Sequence, residues 1–137
     1  MNNEQEIVSV WKMLRYSYGV IVLLAGLDKV LSLNLIANWE NYVSPLVANS
    51  LPLSSHGFMV IVGAVEVLVA VLMLSKFTRL AFYVASVWLI LIAINLLMLG
   101  GYVDVAVRDV LLAIGAFATA KLSAINGYGL TGKINNA

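Results

Sequence analysis

"LAFYVASVWLILIAINLLML", residues 80–99, is interrupted in its apolar character only by Ser86 and Asn95. A bilayer core takes about 20 consecutive apolar residues in helical form, so this stretch alone asks for a membrane rather than for water. The rest of the chain agrees. Of 137 residues, 62% are hydrophobic and 11% charged, and the mean hydropathy is +0.97. A soluble domain carries about 25% charged residues, so this chain lacks the polar surface to face solvent.

Working outward from residues 80–99, three further segments reach spanning length: 12–33, 57–75 and 104–124, beside 79–99 itself. The second holds one charge, Glu66. The fourth opens on Arg108-Asp109 and runs on through "VLLAIGAFATA". Residues 76–78 and 100–103 are connections short enough to force antiparallel neighbours. The expectation is an all-α, single-domain protein over 1–137: an integral membrane antiparallel four-helix bundle with a flexible tail at 125–137, where "NGYGLTGKINNA" is rich in Gly and Asn. Lys12 and Arg15 ahead of an apolar run also suit a secretory signal. The length of that run, its Asp28-Lys29 and the missing A-x-A site argue that the first span is retained.

The link at 34–56 is too long to be structureless in a compact domain. Ile36, Trp39, Val43 and Leu46 follow helical spacing, which predicts a short amphipathic helix in the membrane interface, anchored by Trp39 and Tyr42 and ended at Ser44-Pro45. Orientation follows from the basic residues. Lys12, Arg15, Lys76, Arg79, Lys121 and Lys133 fall on one side, leaving only Lys29 and Arg108 of the eight on the other. The positive-inside rule then makes both termini cytoplasmic, in a bacterial inner membrane.

Charges inside the spans are the candidate site. Asp28, Lys29, Glu66, Asn95, Arg108 and Asp109 all fall in the outer half of the expected bundle. Glu66 lies roughly 13 Å below the outer start of its span at 1.5 Å per residue. A charge near a helix centre costs about 2.5–3.5 kcal/mol to insert, so these groups are expected to face inward and pair. Arg15, Gly19, Val22, Gly26 and Lys29 form one stripe at intervals of three and four, whose glycines admit a close neighbour. Gly63, Glu66 and Ala70 share a face, as do Asp109, Ala113, Ala116 and Ala120. Asp28 points about 100° away from Lys29, so each needs its own partner. The cluster either fixes helix order and register or marks a path for a substrate, ion or proton. His56 reads as an interfacial polar residue.

Several function classes lack residues. With no cysteine and one histidine, disulfides, thiol catalysis and a metal site are not expected. A net charge of +1 without a basic tail gives nucleic-acid binding no electrostatic support. No cofactor motif or nucleophile–base pair appears, so an enzyme acting alone is not expected.

The pattern resembles the DoxX/DoxD-like family of small four-span bacterial membrane proteins. The similarity lies in an arginine in the first turns followed by "GVIVLLAGLDKV" and "WENYVSP", in "GAVEVLVAVLMLSKFTRLA" with its intrahelical glutamate, and in "VRDVLLAIGAFA". It covers most of residues 12–124. It implies Arg15, Gly26, Lys29, Glu66, Arg79, Arg108 and Asp109 as the family positions. Some family members are subunits of a thiosulfate:quinone oxidoreductase or partners of redox proteins. The resemblance therefore implies an accessory or anchoring subunit of a membrane redox assembly, with a protein partner or a second copy beside it. Quinone is the candidate cofactor for a pocket lined by the polar cluster. The alternatives are a small proton-coupled transporter or channel using Glu66 and Arg108, and a purely structural scaffold. At this length, alternating access needs a dimer, since many transporters contain two such units as repeats.

Overall fold

The computed structural model describes residues 2–134. Most of them are helical, as expected. In chain order they form α1 (Asn3–Val30), a 3₁₀ turn (Trp39–Tyr42), α2 (Pro45–Ser50), α3 (Ser55–Met73), α4 (Thr78–Leu99), α5 (Val103–Ile125) and two short strands, β1 (Tyr128–Gly129) and β2 (Gly132–Lys133). Helices α1, α3 and α4 are long and apolar enough to cross a membrane. Helix α5 matches them in length, but Asp104, Arg108, Asp109 and Lys121 punctuate it.

The long helices pack as two antiparallel pairs, α1 with α3 and α4 with α5, joined side by side through α3–α4 and α1–α5. Small residues set the first pair. A methyl placed on Gly26 would lie 2.9 Å from the Gly63 carbonyl oxygen, and one on Gly63 would lie 2.6 Å from Lys29 Cβ. The two backbones therefore meet where neither residue carries a side chain. The second pair meets over alanines. Ala85, Ala93, Ala113, Ala116 and Ala120 are all buried, and Ser86 donates to the Ala113 carbonyl at 2.8 Å. Phe82 and Met73, both fully buried, fill the space between the pairs.

Three boundaries differ from the sequence reading. The first helix starts at Asn3 rather than at Lys12, because Asn2 and Gln5 close a capping box ahead of Glu4 and Glu6 in the first turn. It stops at Val30 rather than at Leu33. Ser32 and Asn34 take left-handed φ values of 54° and 52°, and the turned chain feeds its Leu35 and Ile36 N–H groups to the Asp28 carboxylate.

The expected interfacial helix around Ile36–Leu46 is also not formed. Ser44 does not end a helix there; its side chain caps the start of α2, with Pro45 at the first helical position. Pro at that position loses no hydrogen bond and is preset for helix, so the dipeptide that stops one helix starts another. The 3₁₀ turn before it folds inward. Trp39 and Tyr42 pack with Val43, Met59 and Val62 instead of lying as anchors on the outside.

The tail is the third correction. Residues 128–133 pair as a β-hairpin, Tyr128 opposite Lys133 and Gly129 opposite Gly132, and it folds back on the helices. The Tyr128 ring lies 5.3 Å from that of Trp11, and Gly132 sits against the Lys76 side chain. The last three residues of the expected flexible tail, 135–137, lie outside the described residues.

Candidate functional site

Helices α1 and α3 cross at Gly26 and Gly63, and Lys29 and Glu66, one turn from it on opposite sides, meet across that crossing. Their Nζ–Oε2 separation is 2.6 Å, with side chains only 6% and 10% exposed. Such a pair, nearly out of water, holds only if the remaining hydrogen-bonding capacity of each ion is also met. Trp39, brought over by the 3₁₀ turn, places its ring 3.7 Å from Lys29 Nζ. The same indole donates its N–H to Asp28 Oδ2 at 2.7 Å. Asp28 and Lys29 diverge on the helix as expected, yet Trp39 links them: its edge serves the acid and its face serves the base.

Asp28 is held by loop backbone rather than by a cation. It accepts from Leu35 N at 2.9 Å and Ile36 N at 3.1 Å besides Trp39. Three donors on one carboxylate make Asp28 the nail of the α1–α2 connection. Asn95, read as part of the charged cluster, does similar work from α4: it accepts from Ser44 N at 3.0 Å and donates to the Tyr42 carbonyl. The loop is therefore clamped from two helices.

Helix α5 divides its two expected contributors. Asp109 is half-buried and makes no ion pair among the described residues, though it lies within range of the charges of Lys29 and Glu66. Arg108, one residue earlier, turns outward. Its side chain is 74% exposed and its one acid is Asp104, a turn away at 3.8 Å. The two positions are about 100° apart on the helix, and the turn that half-buries Asp109 carries Arg108 to the outer side. The indole N–H of Trp88 is enclosed beside Glu66 and aimed toward it, without a hydrogen bond of good geometry. The assembled cluster is thus Lys29, Glu66, Asp109, Trp39 and Trp88, with Asp28 behind Trp39.

Of the residues expected to set packing, Gly26 and Gly63 form the crossing itself, while Arg15, Gly19 and Arg79 fall toward the opposite end. Arg15 donates from Nε to the Met73 carbonyl at 2.9 Å and from Nη2 to the Ser75 carbonyl at 2.8 Å, closing the C-terminus of α3, where a cation also opposes the helix dipole. Trp11 and Tyr128 flank the guanidinium at 5.1 and 5.7 Å. Gly19 admits the Leu74 side chain. Arg79 lies over the Tyr83 ring at 5.8 Å. His56 forms an exposed pair with Glu40 at 2.9 Å.

No family model, curated protein or solved structure matches the chain. Sequence reasoning missed Trp39 and Trp88 as members of the cluster. For Trp39 the available signal was an aromatic residue in a polar loop eleven positions after Asp28; for Trp88 there was none, since it sits in an apolar run like its neighbours. Among the described residues, no three His, Cys, Asp or Glu side chains converge to hold a metal ion.

Proposed function

We propose that the chain is an integral inner-membrane protein in which α1, α3, α4 and α5 cross the bilayer as an antiparallel four-helix bundle, both termini cytoplasmic. In this reading it serves as an accessory or anchoring subunit of a membrane redox assembly. The observation that carries the subunit reading is where its polar groups go. Lys29 is spent on Glu66, Asp28 on the loop, Asn95 on the same loop and Arg15 on the end of α3. These are locks between elements, and they leave no nucleophile–base pair. The redox context comes from the resemblance to DoxX/DoxD-like proteins, and so does the protein partner. Spanning by α5 is supported by its antiparallel run beside α4 and by the 2.8 Å bond from Trp11 to Ser123 near its far end.

For a quinone head, Lys29 Nζ is already engaged by Glu66, which leaves the Trp88 N–H as the donor of the cluster without a partner among the described residues.

Affinity capture from native membranes in mild detergent tests the subunit reading. The expected result is a stoichiometric redox protein whose quinone-linked activity falls when this chain is deleted. Proton flux by the purified protein alone in liposomes, lost in Glu66→Gln, would overturn it in favour of a transporter. One observation favours that second reading: two acids, Glu66 in contact and the half-buried Asp109 within charge range, share a single ammonium, Lys29.

A further inference from the structure

None of the cations at the Arg79 end of the molecule takes part in an ion pair among the described residues, and two of them stand over neighbouring rings. Arg79 lies over Tyr83 at 5.8 Å on α4, and Lys121 lies over Phe117 at 5.4 Å on α5. The two rings touch edge to face at 5.5 Å. Arg79 and Lys121 therefore bracket a single aromatic platform. Neither takes part in an ion pair among the described residues, and Arg79 Nε is enclosed without a hydrogen-bond partner.

From this platform an apolar groove runs along α4. It measures about 320 Å³ and is lined by Tyr83, Val84, Val87, Trp88 and Leu91. Arg79, Tyr83, Val87 and Leu91 form one i, i+4 row, which winds about 40° around α4 at each step, so the guanidinium heads the row that the groove follows. From Arg79 to Leu91 the row extends roughly 18 Å at 1.5 Å per residue, about the depth of one leaflet of a ~30 Å core.

We propose that this face binds an anionic phospholipid, its phosphate held between Arg79 and Lys121 and one acyl chain laid in the groove toward Leu91. A planar guanidinium fork is suited to phosphate oxygens, and both cations belong to the basic side of the protein, where an anionic leaflet would lie. The proposal rests on the membrane-spanning reading above, with α4 beginning at the cytoplasmic interface. It gives Arg79 a ligand where packing offers it none.

The test begins with an alkaline carbonate wash of membranes holding the full chain. Release of the protein would overturn both the spanning reading and this site. Protein retained in the membrane is then purified in detergent and titrated with dioleoyl phosphatidylglycerol or dioleoyl phosphatidylcholine, with bound lipid counted by native mass spectrometry. The expected result is preferential retention of phosphatidylglycerol, with roughly a five-fold loss of its affinity for each cation removed. Arg79→Gln/Lys121→Gln should erase the preference, and Arg79→Lys/Lys121→Arg should keep most of it. Val87→Trp should weaken both lipids by filling the groove. Equal binding of the two lipids by the wild type, or an unchanged preference in Arg79→Gln/Lys121→Gln, would overturn the lipid site while leaving the spanning reading intact. Undiminished binding by Val87→Trp would overturn the acyl-chain groove.

Discussion

Lys29 and Glu66 decide more of the stability than any exposed pair here. Breaking a buried ion pair from one side leaves the other ion desolvated, at about 3–5 kcal/mol, whereas replacing both with apolar groups is often close to neutral. Lys29→Met and Glu66→Leu should therefore each destabilise the protein by that amount, and the double variant should lose far less than their sum. Detergent-titrated unfolding of the four proteins measures the coupling, and additive losses would show that the 2.6 Å contact carries no net interaction. Asp28 predicts a local effect instead. Asp28→Ala strands the Leu35 and Ile36 amides and the Trp39 indole, about 1–3 kcal/mol for groups left unsatisfied. Hydrogen exchange should rise at Leu35 and Ile36 and stay unchanged in the middle of α3. Uniform protection across the loop would show that Asp28 does not hold it. That Lys29 and Glu66 turn toward a neighbouring helix was legible in the sequence, because each rides on a seam of small residues at helical spacing, but which partner each takes was not. The partners of Asp28 were not, since they depend on left-handed turns at Ser32 and Asn34 that leave no periodic trace. Arg108 was misplaced for a plainer reason. The 100° step that separates Asp28 from Lys29 separates Arg108 from Asp109 as well.

Between elements, the α1–α3 crossing is set by absence of side chains. Gly26→Ala would drive a methyl to 2.9 Å from the Gly63 oxygen and from the Val67 amide nitrogen, and Gly63→Ala would meet Lys29 Cβ and the Gly26 oxygen. Backbone cannot rotate aside as a side-chain tip can. Each substitution should cost about 1–3 kcal/mol as overpacking and loosen the Lys29–Glu66 contact across that crossing. Gly101→Ala is the control, with nothing within 4 Å of the added methyl, and should fall within about 0.5 kcal/mol of wild type. The same detergent unfolding measures all three; a Gly63→Ala protein as stable as Gly101→Ala would mean that the helices have room to part. At this scale the long helices were readable from apolar length, and their small-residue faces from spacing. The connection at 31–44 was not. Trp39 and Tyr42 have the side chains of interfacial anchors and also of core residues, and Asp28 and Asn95 draw the turn that carries them inward. The hairpin at 128–133 was hidden likewise, because its Gly-rich composition suits a frayed tail until Trp11 and Arg15 supply a surface for Tyr128.

For the whole molecule the question is whether α5 crosses the bilayer with the three more apolar helices. Its polar residues are placed in a way that supports crossing. Asp109 is half-buried and within range of the charges of Lys29 and Glu66, and Asp104 and Arg108 lie within the first two turns of α5. There a long basic side chain can reach back to the interface. At the other end Trp11 bonds Ser123 at 2.8 Å, which ties the last turns of α5 to the first turns of α1. Four crossings put Asn3, Lys76 and Lys133 on one side with Ser50 and Gly101 on the other; three crossings would move Lys133 across to join Gly101. Because the chain has no cysteine, a single cysteine at each of these positions reports its side without a background to remove. In sealed, right-side-out bacterial cells a membrane-impermeant maleimide should label Ser50→Cys and Gly101→Cys only. Asn3→Cys, Lys76→Cys and Lys133→Cys should label only after the membrane is opened. Labelling of Lys133→Cys in intact cells, with Lys76→Cys protected, would leave α5 on the outer surface and overturn the four-span bundle. Labelling of Asn3→Cys and Lys76→Cys from outside would instead invert the orientation that the basic residues predict.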